Sequence, residues 1–442
     1  MTTVDQSNVA KGLQVDDKVA AGFDKATAYK LTDDDIERAK LLLGVNVAGK
    51  NKELNSVATP DAMRNWSLGV GDNNPLYTDE DYGSTTRWGS QIGQGTMVGH
   101  IKTPMLGDPI PDEIKKATKS LFRGIHVFVS GGSWEWYRPV YPGDRLYSYN
   151  GEESLQVKQS EFADRSVVAV RRDVIFNQRG EVVGIYRILR VMTERDTARK
   201  KGTNAAIEPA SYTDTDYERI DAIYAQEKIR GADKRYWDDV TIGDDMDPMV
   251  KGPLTVTDII GFHAGGYGFV PYGLPSGRVA YQNRQRIAPF YVKNEAGVWD
   301  VAQRLHWDSQ WAKAIGNPMA YDYGVMRQCY FWHHVSDWAG DDAIITHMDD
   351  SIRKFNYQGD TQFLNGKVVD KRVEPKGQHV VDVELHMINQ RDTETAYGKA
   401  TVALPSKANG LPMYPAVPLD IAATTATLFA RHNELNATRR KR

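Results

Sequence analysis

Hydrophobic and polar positions follow the same order twice along this chain: short stretches with helical spacing come first, then segments that alternate with period two. Residues 31–44 predict a helix in which Thr32 caps the free amides. Asp33, Asp34 and Asp35 suit the positive end of its dipole, and Gly44 can end it. Thr59-Pro60-Asp61 opens a second helix, with Pro in the first turn. From Leu121 the pattern changes to alternation, and residues 124–130, 166–176 and 182–192 read as strands. Asn177-Gln178-Arg179-Gly180 is a hairpin-type turn, which makes the sheet antiparallel. The charged, aliphatic-poor stretch from Thr193 to Asp233 reads as a connection. A helix is then expected from Gly252 with Thr257 as its cap, followed by strands at 367–371, 379–388 and 397–404.

Two anchors align the halves. Tyr141-Pro142-Gly143-Asp144 matches Tyr357-Gln358-Gly359-Asp360, and Phe176-Asn177-Gln178 matches Ile388-Asn389-Gln390. Two matches in order, at similar spacing, argue for an internal duplication of an α+β unit, a helix on an antiparallel sheet. The expected organisation is a flexible N-terminal arm (1–30), a first unit (31–195), a connection (196–235), a second unit (236–405) with an insertion at about 267–303, and a C-terminal extension (406–442). A length of 442 residues suits two such domains.

Composition narrows the function classes. Hydrophobic residues are 41% and charged residues 26%, the profile of a soluble globular protein. No apolar run approaches the roughly 20 residues of a membrane span, and the polar start lacks a signal pattern, so a cytoplasmic location is expected. The single cysteine, Cys329, excludes an intramolecular disulfide and fits a reducing compartment. A net charge of -3 gives no general pull towards nucleic acid, and the basic end Arg439-Arg440-Lys441-Arg442 reads as a frayed, solvated tail. Ten Trp and 22 Tyr residues imply large aromatic surfaces of the kind that line apolar clefts.

The most specific local signal is Gly71-Asp72-Asn73-Asn74-Pro75-Leu76-Tyr77-Thr78-Asp79. It resembles the hydratase motif of the MaoC-like dehydratases and (R)-specific enoyl-thioester hydratases, Gly-Asp-x-Asn-Pro-(Ile/Leu)-His-x-Asp, with Tyr77 in the place of the His. The second half carries His306-Trp307-Asp308, then Ala312 and Gly316, which resembles the continuation of the same motif. It leads to Tyr321-Asp322-Tyr323-Gly324, where the family carries Ala-His-Gly. Val301 stands where the matching Asp is due, and His263 with Gly265 and Gly266 lies about where that Asp segment should fall. The resemblance spans most of residues 30–405 and implies the large double hot-dog form: two hot-dog units, each a long helix wrapped by a curved antiparallel sheet.

That resemblance implies water addition to, or removal from, a 2-enoyl acyl thioester, with coenzyme A as part of the substrate and no other cofactor. Hydration needs one group to take a proton from water and another to deliver one to the α-carbon. The enolate-like oxygen needs fixed donors. His306 is the expected principal acid/base, with Asp72 or His263 as its partner. Asn74, Tyr77, Gly265, Gly266, Tyr321 and Tyr323 are expected to line the substrate cleft, and Arg138 to meet coenzyme A phosphates. The insertion and the aromatic content point to a bulky or unusual acyl group. Adjacent His333 and His334 cannot both face one ion from a helix, so no metal is expected. A hot-dog thioesterase, a non-catalytic acyl-binding protein and a lyase acting on a substrate without coenzyme A stay open. Exposed sheet edges leave homodimerisation open as well; neither nucleic acid nor membrane is an expected partner.

Overall fold

A computed structural model describes residues 30–48, 53–106, 110–119, 121–122, 125–160, 164–194, 207–269 and 276–440. The expected N-terminal arm lies outside them except for Lys30. The first unit opens with α1 (Asp33–Lys40), where the Thr32 hydroxyl accepts from the Asp35 amide as expected. The helix stops at Lys40, and Gly44, at a φ of 71°, turns the chain into the two-residue strand β1 (Val47–Ala48). Then come α2 (Pro60–Gly69), capped by Thr59, and the short helices α3 (Pro75–Thr78), α4 (Glu80–Thr85) and α5 (Asp112–Ala117). Four strands follow, β2 (His126–Trp136), β3 (Tyr147–Ser160), β4 (Asp164–Phe176) and β5 (Val182–Thr193).

The connection holds a helix that its charged composition did not signal, α6 (Asp214–Gln226), closed at its start by a Thr213/Asp216 capping box. The second unit runs through β6 (Met249–Lys251), α7 (Val256–Phe262), α8 (Gly277–Arg286), β7 (Tyr291–Lys293), β8 (Trp299–Val301), α9 (Ser309–Ala314) and the long α10 (Gly324–Ala339). Its strands are β9 (Ile344–Ile352), β10 (Gln362–Val373), β11 (His379–Asn389) and β12 (Glu394–Ala403). Helix α7 is capped by Thr255 rather than by Thr257, because Asp258 at the third helical position completes a capping box only with Thr255. The C-terminal extension ends in α11 (Leu419–Arg440), so Arg439 and Arg440 belong to a helix rather than to a frayed tail. Ile421, Leu428 and Phe429 of α11 pack on Tyr147, Tyr149 and Phe176 of the first unit.

The main strands form one antiparallel sheet in the order β1-β3-β4-β5-β2-β9-β12-β11-β10-β6. The order is its own mirror about β2–β9, as a duplication requires. The two anchors do identical work in each half. The Asp144 carboxylate accepts from the Tyr141 amide as Asp360 does from Tyr357, and Gln178 accepts from the Arg145 amide as Gln390 does from Thr361. At the β2–β9 seam Gly131 pairs with Ser351 at a φ of 139°, and a Cβ there would fall 2.2 Å from the Asp350 carbonyl oxygen. Only glycine permits that approach.

One hydrophobic core serves both halves, and α10 runs through it. Every residue from Val325 to Ala339 is buried. At the corresponding place in the first unit the described residues form only a 3-10 turn, Gly95–Gly99. There a Cβ on Gly95 would lie 2.2 Å from the Trp332 ring of α10. Helix α2 packs closely on α7 and on the π-helical turn His263–Tyr267 that continues it: a Cβ on Gly265 of that turn would sit 2.6 Å from the Asn65 carbonyl oxygen, whereas one on Gly261 would meet nothing within 4 Å. Gly265→Ala is therefore expected to destabilise by about 1–3 kcal/mol through overpacking. Gly261→Ala is expected to stabilise by about 0.5–1 kcal/mol through helix propensity. Thermal melts of the two variants should move in opposite directions.

Candidate active site

The repeat register locates the site. In the first unit the Asp72 amide donates to the Ser67 carbonyl at 2.9 Å; in the second the Gly268 amide donates to the His263 carbonyl at 3.2 Å. Gly268 therefore stands where Asp72 stands, and the second unit has no carboxylate there. Downstream, the Asp79 side chain caps α4 through the Asp81 and Tyr82 amides, and Asp308 caps α9 through the Gln310 and Trp311 amides. That register makes His306 the counterpart of Tyr77. Each repeat keeps one half of the Asp/His motif.

The two halves do not meet each other. The imidazole beside Asp72 is His333 of α10, with its Nε2 3.6 Å from Asp72 Oδ1 and 3.0 Å from Asp337 Oδ2. His333 and Asp337 are four residues apart and so share one helix face. Lys251, at the end of edge strand β6, lies 2.7 Å from His333 Nδ1 and donates to the Gly71 carbonyl at 3.0 Å. When Lys251 is an ammonium it can only donate, which makes Nδ1 the acceptor and puts the His333 hydrogen on Nε2, between the two carboxyls. Asn74 holds the start of α3 through the Leu76 amide, and its Nδ2 donates to Asp337 Oδ1 at 3.2 Å. Gln94 donates to Asp72 Oδ2 at 3.2 Å and accepts from Trp66 Nε1. Tyr77 is buried beside Trp332 and Ser336 of α10.

Burial sets the protonation states. It raises the Asp72 pKa against the opposing pull of His333, and raises that of Asp337 to about 7. It pushes His333 down to about 3 and lowers Lys251, whose carboxylate neighbours Glu227, Asp72 and Asp337 act in the other direction. A neutral imidazole thus sits between two carboxyls that can hold one proton between them, which supplies one acid and one base. Asp337 also lines a cavity of about 290 Å³ together with Met249, His334 and Trp338. The ligand atoms of Asp72, His333 and Asp337 lie within 4.8 Å of one another, a spacing that suits a cation. With Lys251 donating to Nδ1, however, Nε2 carries a hydrogen and has no lone pair to give a metal.

The remaining expected residues gather elsewhere. His263 Nε2 is 2.9 Å from the Tyr323 hydroxyl, which also accepts from Gln303 at 2.9 Å. The His306 ring centre lies 3.6 Å from that of Tyr323 with the planes tilted by 33°, and its Nδ1 lies 2.7 Å from the Tyr321 carbonyl. Burial lowers the His263 pKa and takes His306 to about 3. The wager that His306 works with His263 thus finds them on either side of one tyrosine. The alternative pairing with Asp72 finds no contact among the described residues. Gly265 and Gly266 serve helix packing, with a Cβ on Gly266 3.2 Å from the Trp66 ring. Arg138 pairs with Glu181 at 3.0 Å, at the surface end of the β4–β5 hairpin. Lys251 and Asp337 were not foreseen, and His333 was weighed only as a metal ligand. The signal available was a His and an Asp four residues apart in an otherwise Trp-, Phe- and Val-rich helix.

Comparison with known proteins agrees with this architecture. Residues 44–185 match the model of the FAS1-like dehydratase domain region. No curated protein sequence gives a significant match. Among solved structures, a MaoC-like dehydratase superposes with a TM-score of 0.54 at 15% identity, over 84% of this chain and 100% of its own. A MaoC-like dehydratase from Phytophthora capsici gives 0.46 at 11% identity, over 84% of this chain and 98% of its own. A Mycobacterium tuberculosis protein described as having a double hot-dog fold gives 0.41 at 13% identity, over 80% and 96%. The fold is the double hot-dog, and the segment that resembles the FAS1-like dehydratase domain region lies in the first repeat.

Asp337 gives a stability test. Its folded pKa, about 7, exceeds the roughly 3.9 of an unfolded Asp, so the native state binds more protons between those values. The stability this contributes is complete below about pH 4 and is lost as pH rises through 7. The Tm of Asp337→Asn relative to wild type should therefore rise between pH 5 and pH 8. A difference independent of pH would contradict the burial argument.

Proposed function

We propose that the protein is a hydro-lyase that adds water to, or removes it from, a 2-enoyl acyl thioester, with coenzyme A as the carrier. One observation carries this reading: Asp72 of the hydratase-like motif meets His333 and Asp337 of the other repeat in a buried cluster that opens on a cavity. In hydration the ionised carboxyl of the pair takes a proton from water as it attacks the β-carbon. The protonated carboxyl gives a proton to the α-carbon, and dehydration runs the same transfers backwards. The His333 Nε2–H holds the two carboxyls in register, and Lys251 holds His333. A cavity of about 290 Å³ is at the lower end of ligand pockets, which favours an unusual but compact acyl group over a long chain. On this reading His263, His306, Tyr321 and Tyr323 pack the second repeat. No described helix is long and apolar enough to cross a membrane; with the single buried Cys329, this supports action in a reducing compartment.

The test is loss of the enoyl-thioester absorbance band across a panel of 2-enoyl-coenzyme A substrates, with free thiol followed in parallel. Wild type should consume the band without releasing thiol, Asp337→Asn should lose about 100-fold or more, and His306→Phe should keep most of the activity. Thiol release instead would favour a thioesterase, and no change with any thioester would reject the reading. Because the reaction needs one proton on the pair, kcat/KM should fall as pH rises through about 7, where Asp337 gives up its proton. A flat profile from pH 6 to 9 would count against Asp337.

A further inference from the structure

The cavity beside Asp337 holds more hydrogen-bond donors than the protein uses there. Arg230 and Arg235 both donate Nε–H to the Trp338 carbonyl, at 3.1 and 2.7 Å, near the C-terminal end of α10. Capping accounts for that nitrogen of each. Arg230 spends another on Asp233 at 3.0 Å. The two terminal nitrogens of Arg235 have no partner among the described residues, and its guanidinium lies 4.3 Å from the centre of the Trp338 ring. Arg235 lines the cavity together with Lys228, Arg230 and Asp337. Burial and the Arg230 charge push its pKa down to about 10, and Asp247, Asp244 and Asp233 do not offset them. A guanidinium in that state gains from an anion that enters the cavity.

Resting on the site reading above, we propose that Arg235 receives a carboxylate on the acyl part of the substrate, so that the ligand is an acyl thioester of a dicarboxylic acid. Three features favour the acyl group over the coenzyme A phosphates as the source of the charge. The Arg235 guanidinium is anchored on the carbonyl of the residue after Asp337. The cavity of about 290 Å³ has room for an acyl group beside Asp337. The coenzyme A phosphates are separated from the thioester by the whole pantetheine arm, whereas a second acyl carboxylate lies a few bonds from the reacting carbons. The planar fork of a guanidinium matches a carboxylate edge.

Calorimetric titration of the full chain with saturated thioesters tests this without turnover, so its outcome is separate from whether the protein is a hydratase. The probes are succinyl- and butyryl-pantetheine, which carry no phosphate, beside the corresponding coenzyme A esters. For wild type, succinyl-pantetheine should bind about tenfold tighter than butyryl-pantetheine, the worth of one charge-assisted hydrogen-bonded pair. Arg235→Gln should abolish that preference and Arg235→Lys should keep part of it. Equal binding of the two pantetheine esters to wild type overturns the proposal and needs no variant. A preference that survives in Arg235→Gln also overturns it. If Arg235→Gln weakens only the coenzyme A esters, and both acyl groups equally, the fork binds phosphate and the proposal fails.

Discussion

A helix buried on every side fixes the character of this molecule. Because the described residues of the first repeat form only a 3-10 turn where the second has a long helix, α10 packs against both halves and has no face left for water. A polar side chain on it must find a partner inside or pay the full cost of desolvation. The partners are present. Arg327 meets Asp322, Gln328 meets Asp350 and the Tyr186 hydroxyl, and His334 reaches the Asp247 carbonyl. His333 meets Lys251 of its own repeat, and His333 and Asp337 reach Asp72 and Asn74 across the interface between repeats. The cluster proposed as the active site is the portion of this enforced network that reaches a cavity, through Asp337.

Duplication followed by divergence explains why the cluster draws on both halves. A motif present twice can lose a different member in each copy, provided that one complete set of groups remains. Here the first copy has Asp72 with Tyr77, while the second has His306 with Gly268. In the first copy His333, one helix over, lies where it can face the surviving carboxylate, and Lys251 fixes its tautomer. The second copy is left with an aromatic cluster around Tyr323, in which His263 and His306 sit neutral. The buried second carboxyl, Asp337, faces a neutral imidazole and costs stability at neutral pH, where burial resists its ionisation.

Much of the fold was legible because it rests on local chemistry. Thr32 and Thr59 announced helix starts, and the Gly-Asp and Asn-Gln anchors announced a duplication whose hydrogen bonds proved equivalent. Strands β3 and β9 were missed because their charged positions, from Glu152 in one to Asp349 in the other, break the apolar alternation. Those charges are paired: Glu152 meets Arg190 of β5, and Asp349 meets His347 two residues away on the same strand. Thr257 was preferred to Thr255 because the capping box was not counted. The site was half legible: Asp72 and Asn74 lie in a continuous motif. His333 and Lys251 come from an interior helix and an edge strand, 261 and 179 positions from Asp72. No local spacing could join them; only the shared helix does.

If Asp72 and His333, from different repeats, act as one unit, a double-mutant cycle in kcat/KM on Asp72→Asn, His333→Gln and the double variant will show it. Each single change should cost about 100-fold or more, and the double variant should be hardly worse than the poorer single. Losses that multiply, or a His333→Gln enzyme with full activity, would show that the two residues work apart and would contradict the proposal.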